Sequence, residues 1–150
     1  MCKFKSAIVV QDLNQKHGFR LLLNPWTESH SDLIALHNLR DDGVLRFARV
    51  EFSPESLETA HQPETYKLTI DEERKPDWFG KEMKKLVSDR LREYIKFITV
   101  TGKVKLLLGG EFVLAPGADV GDVKTSVIHS VNSAKIDSVS GSAKIVKDLR

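Results

Sequence analysis

The chain has 150 residues, 41% hydrophobic and 29% charged, with 23 basic and 21 acidic residues and a formal net charge of +2. This composition is ordinary for a globular protein and argues against long disordered stretches. The small net charge argues against nucleic acid as a partner, because phosphate backbones are bound by clustered basic side chains.

The single cysteine, Cys2, cannot form a disulfide within the chain, which suits a reducing compartment. No apolar run reaches the roughly 20 residues that a membrane helix needs. The short apolar run Ala7–Val10 near the start is not typical of a signal peptide. We therefore predict a cytoplasmic protein with no membrane partner.

Short elements are predicted for the first part of the chain. Apolar runs and alternating patterns indicate strands, and a serine at Ser31 indicates a helix start. The predicted elements are two strands at Ala7–Val10 and Phe19–Leu23, a short helix at Leu33–Leu36, and two alternating strands at Arg46–Phe52 and Tyr66–Ile70.

The longest predicted helix covers residues 77 to 98. Pro76 suits the first turn of a helix, and apolar residues from Phe79 to Ile98 recur with helical spacing on one broad face. This pattern predicts an amphipathic helix that covers a sheet. Arg90 falls within the apolar face, so its charge needs a carboxylate, a ligand or a path to the edge.

After Gly102 the composition changes. Val104–Leu108 and Glu111–Leu114 suggest a hairpin turning at Gly109-Gly110. A degenerate unit of a small residue, a spacer and a β-branched residue then recurs every eight or nine residues, as in Ala118-Asp119-Val120, Ala134-Lys135-Ile136 and Ala143-Lys144-Ile145. Such ladders are typical of parallel β-solenoid coils. The alternative is a meander of short antiparallel strands.

The predicted fold class is therefore α+β. An N-terminal mixed sheet covered by the long helix forms a domain over residues 1–102. A β-hairpin and a short β-repeat, solenoid-like segment form a second domain over residues 103–150.

Several segments resemble a group of uncharacterised phage and prophage proteins. These segments are Cys2–Ile8, Ser29–Leu33, Phe47–Pro54 and Tyr66–Phe79. The group pairs a similar α+β region with a tail of short Gly/Asn-Ser-Ala-x-Ile/Val repeats. The resemblance implies a phage context and an architecture, and it supplies no catalytic residues.

The histidines give a limited chemical signal. None of the five has the spacing of a helical zinc motif. His30 with Asp32 nearby is a conceivable acid/base or metal pair, but the pattern lacks a specific ligand spacing, which favours His30 before the helix start and His37 as a polar surface residue. The sequence contains no phosphate-binding loop, nucleophile elbow or triad. We predict no catalytic residue, metal site or cofactor.

Candidate binding residues come from two further places. Arg90 on the long helix is a candidate for anion binding in a cleft between sheet and helix, or for a structural ion pair with Glu51 or Asp71. The polar face of two strands, which contains Arg49 and Glu51, is a second candidate surface, or a set of cross-strand ion pairs. With His30 and Asp32, these are the predicted binding residues.

Three functions remain open at this level. The first is a non-enzymatic phage-type accessory protein that binds a host protein or a small anionic ligand, for example to counter a host defence. The second is a small hydrolase-like enzyme that uses His30 and Asp32. The third is a structural module in which the C-terminal repeats form a homo-oligomer.

Overall fold

A computed structural model describes residues 4–40, 46–131, 133–146 and 148. Cys2 lies outside these residues. The helices and strands are β1 (Lys5–Gln11), β2 (Phe19–Leu22), α1 (His30–Leu36), β3 (Phe47–Ser53), β4 (Lys67–Ile70), α2 (Lys81–Ile98), β5 (Thr99–Val100), β6 (Lys103–Leu108), β7 (Glu111–Leu114), β8 (Asp119–Lys124), β9 (Val127–Val131), β10 (Lys135–Ser140) and β11 (Lys144–Ile145). Short 3₁₀ helices lie at Leu57–Thr59, Pro63–Thr65 and Glu72–Arg74.

The chain divides into two compact units. The first unit comprises Met1–Ser53 and Tyr66–Leu91, and the second comprises Pro54–Thr65 and Arg92–Arg150. Helix α2 contributes residues to both units. The predicted domain boundary after residue 102 stays a prediction.

The sheet of the first unit has the strand order β2-β1-β3-β4. All its neighbouring strands are antiparallel, so the predicted mixed sheet is wrong. Leu33 of α1 is buried in one cluster with Ile8, Leu22 and Phe47 from three of the strands. Because β3 pairs with β1 and β4 and is buried along nearly its whole length, it is not the half-exposed strand that its alternating sequence predicts.

A tight turn joins β1 to β2. The N–H of Asp12 donates to the carbonyl of Gly18 over 2.8 Å, and the N–H of Gly18 donates to the carbonyl of Gln15 over 3.1 Å. Gly18 has a φ of 80°, a left-handed conformation that glycine adopts without steric cost. These bonds fix the backbone from which Lys16 and His17 project.

The strands of residues 99–145 form two parallel sheets, with strand orders β11-β9-β7-β5 and β10-β8-β6. Successive strands alternate between the two sheets, so each strand pairs with the next but one along the chain. Each eight- or nine-residue repeat is therefore one strand of a sheet. The predicted α+β fold with a solenoid-like segment is wrong, because the part of the chain that the structure describes is a mixture of one antiparallel sheet, two parallel sheets and two α-helices. The predicted hairpin at Gly109-Gly110 is also wrong, because β6 and β7 belong to different sheets.

The two parallel sheets share one hydrophobic core. Val120 and Val123 of β8 are buried in the same cluster as Leu114 of β7 and Ile128 of β9. Parallel register aligns equivalent repeat positions, since Val120 pairs with Val104 on one side and with Ile136 on the other. The β-branched repeat positions are thus the ladder residues of the core.

Helix α2 confirms the predicted long helix, although it begins at Lys81 rather than near residue 77. Its buried apolar residues form a narrow stripe of Val87, Leu91, Ile95 and Ile98. Phe97 is 85% exposed, so the apolar face is narrower than the sequence predicts. Arg90 lies outside this stripe and is exposed. No helix in the described part of the chain is both long enough and apolar enough to cross a membrane.

Candidate functional site

A basic groove of about 420 Å³ lies in the first unit. Its residues come from the β1–β2 turn, from β2 and from α2. They are Gln15, Lys16, His17, Phe19, Arg20, Leu21, Leu22 and Arg90. None of the described residues that line it is acidic, so three permanent cations and a histidine face one concave surface.

The turn and β2 hold two of the cations on a fixed backbone. Arg20 lies in β2, and its Nε is 3.2 Å from Oδ2 of Asp12. This ion pair restrains the guanidinium, which has five N–H donors and can engage an anion with those that remain. Lys16 is exposed at the tip of the turn.

Arg90 completes the groove from α2. It is exposed, and the structure shows no hydrogen bond or ion pair between it and any residue that it describes. The predicted alternative, a structural pair with Glu51 or Asp71, is therefore not seen within the described part of the chain. Arg90 therefore does not need a carboxylate partner to offset the cost of a buried charge, because its side chain is exposed to water.

Arg49 and Glu51 lie elsewhere, in β3. Arg49 is 7% exposed, and its guanidinium carbon is 4.8 Å from the ring centroid of Phe47, a cation–π distance. Glu51 is half-buried and lies opposite Ser6 of β1 and Thr69 of β4. Because Arg49 is buried, reversing its charge would disturb the fold.

His30 and Asp32 begin helix α1, and their side chains have different partners. Nε2 of His30 donates to the carbonyl of Val50 over 2.8 Å, and Oδ2 of Asp32 accepts from Oγ1 of Thr27 over 2.8 Å. Ser29 is the N-cap of α1, and its Oγ accepts from the N–H of Asp32 over 3.3 Å. The histidine therefore ties α1 to β3, an arrangement that does not match an acid/base pair.

The structure also contains a polar network that the sequence does not reveal. In the second unit, the carboxylate of Glu111 accepts a hydrogen bond from the hydroxyl of Tyr94 and lies 2.6 Å from Nε2 of His129. Glu111 and His129 are each 3% exposed.

A β-bulge positions the histidine of this network. Phe112 pairs with Ile128 while the next residue, Val113, pairs with Ser130, so His129 is the extra residue on β9. Such a bulge redirects a side chain out of the regular alternation. A buried carboxylate that accepts bonds from two donors is well suited to stabilising the packing.

The structure brings three of the five predicted binding residues to one part of β3, because His30 donates to the carbonyl of Val50, which lies between Arg49 and Glu51 in the chain. Arg90 lines the basic groove, Asp32 lines a second cavity, Arg49 and Glu51 lie in β3, and His30 binds the backbone of β3. Lys16, His17 and Arg20 were missed. Lys16 and His17 lie between two predicted strands and Arg20 lies in the second of them, but the sequence does not show that they face α2.

In comparisons with known proteins, no family model, curated protein or solved structure matches this chain.

Proposed function

We propose that this chain is a non-enzymatic binding protein that holds a small anionic ligand in the basic groove. The observation that carries this proposal is the convergence of Lys16, Arg20 and Arg90 on one groove that has no described acidic lining residue. Arginine presents several N–H donors in a fixed plane, which suits phosphate and carboxylate groups.

The groove also has apolar walls, which favour a ligand that carries an organic body as well as an anionic group. Phe19 and Leu22 are buried residues of β2, and Leu21 is half-exposed beside them. Ligand sites commonly combine an apolar wall with a few polar groups that fix orientation. A volume of about 420 Å³ suits an organic anion of modest size.

The resemblance to phage and prophage proteins gives this proposal a biological setting. In that setting, the chain acts in the host cytoplasm as an accessory protein, for example by withholding an anionic ligand from a host defence. An acidic segment of a host protein offers the same chemistry to the groove. Native mass spectrometry of protein purified gently from host lysate distinguishes a small anionic ligand from a host protein, because the two add different masses to the chain.

The binding test uses AMP, inorganic phosphate and adenosine as probes. AMP and adenosine differ by the phosphate group, so we expect AMP and phosphate, but not adenosine, to shift the amide resonances of residues 15–22. The Arg90→Glu variant should lose this response, and added salt should weaken it in the native chain. Arg74→Glu is the matched control, because Arg74 is an exposed arginine outside the groove. Equal responses to AMP and adenosine, or an unchanged response in Arg90→Glu, would contradict the proposal.

A second candidate function is self-association through the parallel sheets. Strands β10 and β11 are edge strands in the two sheet orders. Val139 of β10 is 44% exposed and Val146 beside β11 is 46% exposed. Exposed strand edges with apolar side chains can pair with another chain.

Light scattering after size-exclusion chromatography tests this assembly. We expect an oligomer that Val139→Lys converts to a monomer. Leu13→Lys is the matched control, because Leu13 is an exposed apolar residue of the first unit, 84% exposed. A native chain that is monomeric at all accessible concentrations would exclude this function.

A further inference from the structure

A second cavity, of about 550 Å³, also lies in the first unit. It is lined by Asn24, Trp26, Thr27, Asp32, Ala35 and Leu36. We infer that this cavity is a binding site for a small organic cation, held between the indole of Trp26 and the carboxylate of Asp32. The inference is independent of the basic groove, which has other lining residues and the opposite charge.

Trp26 is the first observation behind this inference. Trp26 is 42% exposed, and Leu36 on the same cavity is 61% exposed. Large apolar side chains that are exposed together around a concavity are typical of a binding surface. An indole face also attracts cations, more strongly than the rings of tyrosine or phenylalanine.

The backbone around Trp26 is held in place. The N–H of Trp26 donates to Oδ1 of Asn24 over 2.7 Å, and Asn24 forms an isolated antiparallel bridge with Thr27. The carbonyl of Asn24 in turn accepts from the buried Nζ of Lys5 over 3.1 Å. The segment that carries the indole is therefore fixed to β1, which lowers the entropic cost of binding.

Asp32 supplies the charge. One carboxylate oxygen accepts from Oγ1 of Thr27 over 2.8 Å, and this bond restrains the carboxylate at the cavity that both residues line. The structure shows no ion pair between Asp32 and any cation that it describes. A carboxylate without a cationic partner, beside an exposed indole, complements a positively charged ligand.

The remaining walls define the body of the ligand. Ala35 and Leu36 present apolar surface on α1 one turn after Asp32. A cation with a short aliphatic stem can place its head between Trp26 and Asp32 and its stem against this surface. Alkylamines and alkylguanidines have this form, and an arginine or lysine side chain of a partner peptide shares it.

The test compares n-butylguanidinium with n-butylurea, which has nearly the same shape and no charge. We expect butylguanidinium to shift the Trp26 indole N–H resonance in a saturable titration and butylurea to bind at least tenfold more weakly. The indole signal is assigned by its absence from the Trp26→Phe spectrum, because Trp78 gives the other indole signal.

Substitutions of Asp32 and Trp26 separate the contributions of the carboxylate and the indole to the affinity for butylguanidinium. Asp32→Asn keeps the acceptor for Thr27 and removes the charge, so it should raise the dissociation constant at least fivefold. Trp26→Leu should raise it further; because this variant lacks the indole reporter, its titration is followed at the backbone amides of Thr27 and Asp32, which line the same cavity. Thermal unfolding is measured to show that each variant is folded. Glu73→Gln, which removes an exposed carboxylate outside the cavity, is the control.

Equal binding of the two probes, or an Asp32→Asn variant that binds butylguanidinium as well as the native chain, would overturn the inference. A blocked pentapeptide with one central arginine then distinguishes the sources of the cation. Tighter binding of the peptide than of butylguanidinium supports a basic side chain of a partner, and weaker binding supports a free small molecule. A failure at this cavity leaves the basic groove untouched, since the AMP response is read at residues 15–22.

Discussion

Gly121 in β8 provides a sharp test of the parallel packing in the second unit. A Cβ atom added at Gly121 would lie 2.4 Å from the carbonyl oxygen of Lys105 and 3.2 Å from its carbonyl carbon. Both are backbone atoms of the neighbouring strand β6, so no side-chain rotation can relieve the contact. Gly121→Ala therefore requires β8 to move away from β6 by about 1 Å to restore ordinary van der Waals separation.

The energetic cost follows from what that movement disturbs. The strand pairs on either side of this contact are Val104 with Val120 and Leu106 with Asp122. Overpacking costs about 1–3 kcal/mol, and each weakened ladder hydrogen bond adds about 0.5–1.5 kcal/mol. We expect Gly121→Ala to lower the free energy of unfolding by about 2–4 kcal/mol.

Urea denaturation followed by circular dichroism measures this loss, and hydrogen exchange of the β8 amides locates it. Gly80→Ser is the matched control, because a Cβ at Gly80 meets no atom within 4 Å. The carbonyl of Gly80 accepts the N–H of Lys84 in the first turn of α2, and serine is favoured before a helix. This control should be neutral or slightly stabilising. A Gly121→Ala variant within about 0.5 kcal/mol of the native chain would refute the packing argument.

Three further predictions concern buried polar groups. Ser6→Ala should raise the free energy of unfolding by about 1 kcal/mol, because the buried Oγ of Ser6 has no hydrogen-bond partner among the described residues; a loss of stability in denaturant would contradict this. Glu111→Gln should lower it by about 1–3 kcal/mol, since the amide replaces one acceptor oxygen facing Tyr94 or His129; unchanged thermal unfolding would show that the network contributes little. Burial raises the pKa of Tyr66, whereas an unfolded tyrosine ionises near pH 10. Ionisation of the unfolded state should therefore reduce stability as the pH rises above about 10. In denaturation series at pH 8 and pH 11, Tyr66→Phe should show a smaller loss than the native chain, and an equal loss would contradict the assignment.

The elements of this fold are more predictable from the sequence than their pairing. Helix α2 follows from its long apolar periodicity, although Arg90 was placed inside the apolar face because the helical spacing alone does not show how narrow the buried stripe is. The repeats after Gly117 mark strands, since alanine and β-branched residues recur at ladder positions. The spacing of the repeats does not show which strand pairs with which. It is compatible with a solenoid in which each repeat forms one coil, and equally with strands that alternate between two sheets.

The candidate sites were predictable only in part. The sequence singles out Arg90 as a charge on an apolar helix face, a premise that is wrong because Arg90 lies outside the buried stripe of α2 and is exposed. Its neighbours Lys16 and Arg20 are ordinary residues of a hairpin, and only the tertiary structure brings them beside α2. The pairing of His129 with Glu111 depends on a one-residue bulge, which the sequence alone does not reveal.

The alternation of strands between the two parallel sheets has a consequence for the order of folding. The β1–β2 hairpin can close as soon as its few residues have left the ribosome, because its partners are neighbours in the chain. Strand β6 has to wait until β8 has been synthesised, and β7 has to wait for β9. During that interval the edges of β6 and β7 lack their later partners and are open to wrong pairing. We therefore expect nascent chains that end before β9 to depend on a chaperone more than chains in which β8 and β9 have paired with β6 and β7.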